Sequence, residues 1–298
     1  MITTPTDREA IGDIQNPLGL DGIEYLEYTS TQPQALGQVL ECLGFRPVAR
    51  HRSREVTLYR LGAMSVVVNA HMGVVRGTQT TDDGSPRITA LALRVRDARL
   101  AYQRVLELGA WDVPNHAQVM ELNIPGIRGP AGTHIYFVDR YQEFSIFDVD
   151  FKPIPGVDPK PAAVAGLHFF GVVQYIGRDR TDDWVEFYGR LMGFVRLPEK
   201  TQFGILPKGT LLSSPCEGPA RFFLQLIEPP AVTPAYDEQE AYQRVAFGTA
   251  DVPSAVDLLR RRGLEFVETA GVKVTENGAI TRNLMHSVVF ELVRHKQS

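Results

Sequence analysis

The chain has 298 residues, of which 44% are hydrophobic and 22% charged, and its formal net charge is −4. This length allows two domains of ordinary size, and the composition is typical of a globular protein. The weak negative charge predicts no nucleic-acid partner and no membrane binding, and no apolar run reaches the roughly 18 residues of a membrane helix. The polar start does not resemble a secretion signal. Since Cys42 and Cys216 form no zinc spacing, we expect a cytoplasmic protein with reduced thiols.

The chain begins with a polar stretch, residues 1–15, which predicts a loose N-terminal arm. A strand at 22–28 and a helix at 34–43 follow. Gly44 closes this helix, because glycine adopts the left-handed conformation without a Cβ clash. Three further strands complete the unit, at 46–51, 55–60 and 64–69. The order of strand, helix and more strands starts again at residue 88.

An internal repeat is the strongest structural signal in the sequence. Gly22 precedes Phe45 by the same 23 residues that separate Gly171 from Phe194 (45 − 22 = 194 − 171). This spacing predicts an α+β fold of four βαβββ units, in which pairs of units form two open β-barrel domains.

Residues 152–165 contain four prolines and few large apolar groups, which is typical of an extended linker. We therefore expect an N-terminal structural barrel at 16–151 and a site-bearing C-terminal barrel at 166–298.

The first half resembles the N-terminal domain of bacterial 4-hydroxyphenylpyruvate dioxygenases. The motifs that carry this resemblance are NPLGL at 16–20, RVRD at 94–97, LELGA at 106–110, VDR at 138–140 and FDVDF at 147–151. The second half is similar to the catalytic domain of that family in fewer places. Its motifs are EFY at 186–188, SP at 214–215, QRVAF at 243–247 and FE at 290–291. The resemblance implies the vicinal-oxygen-chelate fold.

That family binds ferrous iron through two histidines and one glutamate on three strands of its C-terminal barrel, and the open positions accept a 2-oxo acid and dioxygen. The resemblance places the glutamate on Glu291 and the second histidine on Arg244. It places the first histidine on Gly171 or, from another anchor, on Val172. A guanidinium stays protonated and has no lone pair for a metal. Only one of the three positions therefore keeps a metal-binding side chain.

His168 is the histidine that could replace the first ligand. It lies three positions before Gly171, and an odd offset on a regular strand predicts the opposite face. An iron site with rearranged ligands, Glu291 and His168, stays an alternative.

Arg244 and Glu291 are the candidate catalytic residues. Arg244 would hold a carboxylate or oxyanion, and Glu291 would act as a general acid or base. Tyr175 and Tyr242 share strand parity with Gly171 and Arg244, which predicts that they face the same cavity. The residues predicted to line the substrate site are Gln174, Tyr175, Gln225, Tyr242 and Gln243. A salt bridge between Arg244 and Glu291 without catalysis is the structural alternative.

These observations predict an enzyme without metal or other cofactor that acts on a small aromatic or 2-oxo acid by acid–base chemistry. Lyase, isomerase and hydrolase reactions all fit. One alternative is a dioxygenase of the 4-hydroxyphenylpyruvate type with Fe²⁺, and another is a non-catalytic protein that binds a small aromatic or carboxylate ligand. We also expect a homo-oligomer that associates through the N-terminal domain.

Overall fold

The computed structural model describes residues 15–70, 84–114, 122–205, 209–229 and 240–296. The predicted arm at 1–15 therefore lies outside the described residues, apart from Gln15. The elements of the first half are β1 (Leu20–Thr29), α1 (Pro33–Leu43), β2 (Arg46–His51), β3 (Val56–Leu61), β4 (Met64–Asn69), β5 (Arg87–Val95), α2 (Ala98–Glu107), β6 (Gly126–Arg128), β7 (His134–Val138), α3 (Phe147–Asp150) and β8 (Phe151–Pro153). Those of the second half are β9 (His168–Tyr175), α4 (Thr181–Met192), β10 (Val195–Arg196), β11 (Thr210–Ser213), β12 (Phe223–Ile227), β13 (Ala241–Thr249), α5 (Val252–Arg261), β14 (Gly278–Ile280) and β15 (Val289–Arg294).

The strands form two sheets, and each sheet repeats the same plan. The first has the order β6-β7-β5-β1-β4-β3-β2-β8 and the second β10-β11-β12-β9-β13-β15-β14. Two units meet at an antiparallel central pair, β1 with β5 and β9 with β13. Within each unit the first and last strands run parallel, as β13 and β15 do. The predicted α+β class with repeated units is confirmed, and both sheets are open.

The second and fourth units are less regular than the prediction. After each helix, the first of the three expected strands is reduced to an isolated bridge, between Asp112 and Ile127 in one unit and between Phe266 and Thr281 in the other. In the second unit Pro114 follows this bridge closely, and proline cannot donate a hydrogen bond to a neighbouring strand.

Local sequence explains where the helices begin and end. Gly44 and Gly193 stop α1 and α4 in the left-handed conformation, with φ of 110° and 77°. Asp97 and Asp251 precede α2 and α5, and each carboxylate accepts a hydrogen bond from the backbone N–H three residues later. The matched caps reflect the internal repeat.

The two halves share one hydrophobic core, which lies on the helix-covered faces of the sheets. The rings of Phe45 and Phe247, from different halves, are 6.1 Å apart between centroids. Arg262 donates hydrogen bonds at 3.0 Å to the carbonyls of Glu41 and Cys42. The other face of the second sheet lies outside this core and carries Phe170, Phe223 and Ala246. We call it the inner face.

The segment predicted as a linker, residues 152–165, packs against the first sheet. Its first two residues belong to β8, which pairs with β2. Further along, the Gly62 N–H donates to the carbonyl of Pro161 at 2.8 Å, and Arg60 donates to the carbonyl of Pro159 at 3.2 Å. The connection is therefore fixed to the first barrel over much of its length. Across the described residues, no helix combines the length and apolar character needed to cross a membrane.

Candidate active site on the inner face of the second sheet

The three positions expected to hold iron lie together on adjacent strands. Ala246 of β13 is opposite Gly171 of β9 on one side and Glu291 of β15 on the other. Arg244 precedes Ala246 by two residues, and side chains two apart share a face of a strand. Val172 is buried in the core on the helix-covered face, so the first histidine position corresponds to Gly171.

The residues at these positions do not fit ferrous iron. A Cβ atom added at Gly171 would collide with the carbonyl oxygen of Phe223, so an imidazole has no room there unless β12 moves. Arg244 offers no lone pair to a metal. Within the described ranges, no three His, Cys, Asp or Glu side chains come together as metal ligands. Glu291 is the one donor that this triad retains.

The guanidinium of Arg244 is buried and only partly bonded. Arg244 as a whole residue is 7% exposed, and its Nη1 donates a hydrogen bond to the hydroxyl of Tyr175 at 3.2 Å. The guanidinium carbon also lies 5.5 Å from the centre of the Tyr175 ring. Nε and Nη2 have no hydrogen-bond partner among the described residues. Burying an unpaired donor costs about 1–3 kcal/mol, so this edge suits a ligand with two acceptor oxygens.

Glu291 is 3% exposed and lies beside this arginine without bonding to it. Burial raises the pKa of its carboxyl from 4.5 to about 7, and the positive charge of Arg244 limits the rise. No ion pair within 4.0 Å joins the two side chains in the described structure, and Nη1 is bonded to Tyr175 instead. The described structure therefore contradicts the salt bridge, and a domain without catalysis stays an alternative. A carboxyl with a pKa near neutrality can both donate and accept a proton.

Tyr242 and Gln174 do not line the inner face, which corrects two predicted contacts. They lie opposite each other on β13 and β9, and both reach Tyr188 of α4. The Tyr188 hydroxyl donates to Oε1 of Gln174 at 2.6 Å and is 3.0 Å from the Tyr242 hydroxyl. Gln243 has no partner on β9, so it forms a β-bulge that shifts the alternation before Arg244. Strand parity therefore placed Tyr242 on the wrong face.

The other predicted lining residues lie near Arg244 or on its strand. Tyr175, which is 38% exposed, contacts the guanidinium directly. Gln225 is opposite Val173 on the neighbouring strand, two residues after the inner-face residue Phe223. Gln243 is half-buried at the bulge. Their roles in binding stay predictions.

His168 lies on the inner face, so the prediction from its odd offset is wrong. Phe247 is opposite Phe169 while Ala246 is opposite Gly171, which leaves an extra residue and reverses the alternation. The Nε2 atom of His168 is 3.0 Å from Nδ1 of His295. Burial lowers the pKa of both imidazoles.

The second predicted ligand pair, Glu291 with His168, therefore does not assemble a metal site in the described structure. His168 is bonded to another imidazole, and no third ligand completes a group with either side chain.

An aromatic cluster on the inner face was not predicted. Phe203 contacts Phe170 and Phe223 with ring centroids 4.9 and 4.8 Å away, and Ala246 and Val293 lie in the same cluster. Phe170 and Phe223 stand on strands, where their position could be inferred. Phe203 belongs to the loop between β10 and β11, and no periodicity in a loop indicates which way a side chain points.

Comparison with known proteins agrees with this architecture. Residues 14–152 match the family described as "Hydroxyphenylpyruvate dioxygenase, HPPD, N-terminal". A 4-hydroxyphenylpyruvate dioxygenase from Pseudomonas sp. (strain P.J. 874) is 39% identical over 60% of this chain and 50% of its own length. The enzyme of the same name from Pseudomonas aeruginosa is 31% identical over 85% of this chain and 73% of its own.

The chain belongs to the 4-hydroxyphenylpyruvate dioxygenase family. A solved structure of a triple mutant of 4-hydroxymandelate synthase from Streptomyces coelicolor shares the fold, with a TM-score of 0.68, 17% identity and 92% coverage of both chains. The aligned region spans half the length of the first Pseudomonas relative and about three quarters of the second. The relatives are enzymes, and the vicinal-oxygen-chelate fold implied by the sequence is confirmed.

Glu291→Gln should change how stability depends on pH. Because the folded carboxyl has a pKa of about 7 against 4.5 when unfolded, ionisation destabilises the fold increasingly from pH 4.5 to 7, and the cost is complete above pH 7. We expect the variant to match the wild type near pH 4 and to exceed it at pH 8 by up to about 3 kcal/mol. Chemical denaturation at several pH values measures this difference.

The matched control is Glu186→Gln, whose side chain is 73% exposed in the same half of the chain. Because this substitution alters an exposed side chain, it should change the free energy of unfolding at pH 8 far less than Glu291→Gln does. A constant difference between wild type and Glu291→Gln across the range would show that the pKa of Glu291 is not raised.

Arg244→Met should raise the pKa of Glu291 above 7. The substitution removes the positive charge that favours the carboxylate, while the burial that raises the pKa remains. Carboxyl-resolved infrared or NMR titration of both proteins measures the shift. An unchanged pKa would mean that the two side chains do not interact.

Proposed function

We propose that this chain is a metal-independent member of its family that binds a small 2-oxo or aromatic acid and moves protons with Glu291. The observation that carries the proposal is the free edge of Arg244, where two buried donors have no partner in the described structure. A functionless arginine in this position would be expected to bond the nearby carboxylate, and it does not.

The geometry of the guanidinium favours a carboxylate as the bound group. Nη1 is committed to Tyr175, which leaves Nε and Nη2 side by side. These two N–H groups are parallel and match the two oxygens of one carboxylate. Binding would satisfy both donors and add a negative charge next to the only buried arginine of this face in the described structure.

Glu291 would supply the acid–base step. In its ionised form the carboxylate would remove a proton from a carbon next to the carbonyl of the bound acid, and in its neutral form it would return a proton. The charge of Arg244 would stabilise the negative charge that develops between these steps. Proton removal next to a carbonyl is shared by lyases and isomerases, and a raised pKa keeps both forms of Glu291 available near neutral pH.

The name of one relative supports the choice of acid. By its name, the Pseudomonas aeruginosa relative acts on 4-hydroxyphenylpyruvate, which is a 2-oxo acid. Replacing two histidine ligands of the family by Gly171 and Arg244, while an acid-binding site is retained, would alter the chemistry and keep the substrate class. The dioxygenase alternative finds no support in the donors present at these positions.

Binding and proton transfer can be separated with three variants. Arg244→Met should weaken binding of pyruvate-type acids about 100-fold, because it removes two charge-assisted hydrogen bonds. Arg244→Lys keeps the charge without the paired donors and should fall between. Glu291→Gln should still bind but lose about 10²–10⁴-fold in exchange of the acid's C3 protons with D₂O, followed by NMR.

The control for binding is Arg196→Met, an arginine whose side chain is 42% exposed in the same half. It should leave both measurements unchanged. Tight binding that disappears in Arg244→Met, with no proton exchange by the wild type, would identify a binding protein without catalysis. Binding that survives Arg244→Met would contradict the proposed site.

A further inference from the structure

The loop between β10 and β11 brings one of its own aromatic rings onto the inner face. Phe203 packs edge-on against Phe170 at 4.9 Å and at an interplanar angle of 44° against Phe223 at 4.8 Å. Leu197, at the other end of this loop segment, packs against the same cluster. The ring of Phe203 is thus fixed on several sides by side chains of the sheet.

The residue after Phe203 covers the carboxyl of Glu291. Gly204 has φ of 66°, and a Cβ atom added there would collide with Oε1 of Glu291. Only glycine allows this approach, since it lacks a Cβ atom and tolerates the left-handed backbone. Gly204 therefore lies directly over the carboxyl of Glu291.

Phe203 and Gly204 lie against the strand row next to that of Arg244, because Gly204 approaches Glu291, which pairs with Ala246. In a planar guanidinium, the edge formed by Nε and Nη2 points away from Nη1, and Nη1 is bonded to Tyr175. The free edge thus faces away from the Tyr175 hydroxyl. The next row along the strands contains Ala246, about 7 Å further on, and Phe203 packs against the aromatic cluster to which Ala246 belongs.

Two aromatic rings cannot share this space. Protein interiors are packed as densely as organic crystals, so a ligand ring of the size of a phenyl group would have to displace the ring of Phe203. A short aliphatic chain is smaller than a phenyl group and would displace less of this packing.

We infer that Phe203 restricts the site to short-chain aliphatic 2-oxo acids and excludes aromatic ones. The inference rests on the proposed function, since it takes Arg244 as the carboxylate-binding residue. Arg244 and Glu291 do not distinguish aromatic from aliphatic 2-oxo acids. The position of Phe203 distinguishes them and so narrows the substrate class. Phe203 is then a specificity-determining residue.

Calorimetric titration with 2-oxobutyrate and phenylpyruvate tests the inference, since the two acids share the same head group. The wild type should bind 2-oxobutyrate at least about tenfold more tightly than phenylpyruvate. Phe203→Ala should gain about tenfold or more for phenylpyruvate, because an apolar cavity of this size accepts a benzene ring, and should change little for 2-oxobutyrate.

Two further variants keep the test decisive. Phe203→Leu removes less volume and should give a smaller gain in the same direction, even where Phe203→Ala is too unstable to titrate. Phe144→Ala alters a phenylalanine that is 53% exposed in the other half of the chain, and it should leave both affinities unchanged.

The outcomes distinguish this inference from the proposal on which it rests. A wild type that binds phenylpyruvate more tightly than 2-oxobutyrate, and loses it in Arg244→Met, would overturn the inference and leave the proposed function standing. Both would be overturned if the wild type bound neither acid, or if Arg244→Met bound both acids as tightly as the wild type does. Loss of the wild-type preference in Phe203→Ala and Phe203→Leu, with Phe144→Ala unchanged, would support it.

Discussion

A permanent positive charge inside a sheet is the constraint on which the rest of the site depends. Arg244 cannot lose its proton at any physiological pH, so the surrounding residues must accommodate the charge. Tyr175 provides one hydrogen bond and the face of its ring, and Glu291 provides a carboxyl whose ionisation is balanced between burial and the arginine. The unpaired edge of the guanidinium is the remaining demand, and a bound carboxylate would meet it.

The first barrel shows what a structural arginine looks like in the same fold. Its Arg94 donates from Nε to Glu24 at 2.6 Å, and its guanidinium carbon lies 5.4 Å from the centre of the Tyr141 ring. There, a buried carboxylate and the guanidinium pair directly. In the second barrel Glu291 lies close to Arg244 but does not bond it. The difference between two related barrels favours a ligand at Arg244 over an inert salt bridge.

Much of the fold could be predicted from the sequence, because repeated spacings and helix-ending glycines report local structure. The helix predicted at 34–43 is found at Pro33–Leu43, and the strand predicted at 64–69 is found there. The assembly of positions 171, 244 and 291 on one face also followed from the family resemblance. These features depend on regular periodicity or on matched motifs, both of which are visible in one chain.

The parts of the site that could not be predicted depend on breaks in periodicity. One bulge at Gln243 turned Tyr242 toward the helices, and another near Phe170 turned His168 to the inner face. A bulge moves every side chain beyond it to the opposite face, and no residue pattern here indicates one. The position of Phe203 depends on a loop that folds back onto the sheet, which only tertiary packing decides.

We propose that the positions corresponding to the family's iron ligands form an acid-binding site in this chain, and anaerobic equilibrium dialysis against Fe²⁺ tests this most directly. The three positions hold Gly171, Arg244 and Glu291, so we expect the wild type to retain far less than one equivalent of iron per chain. Glu291→Ala should retain the same amount as the wild type. One equivalent of iron in the wild type that is lost in Glu291→Ala would contradict the account.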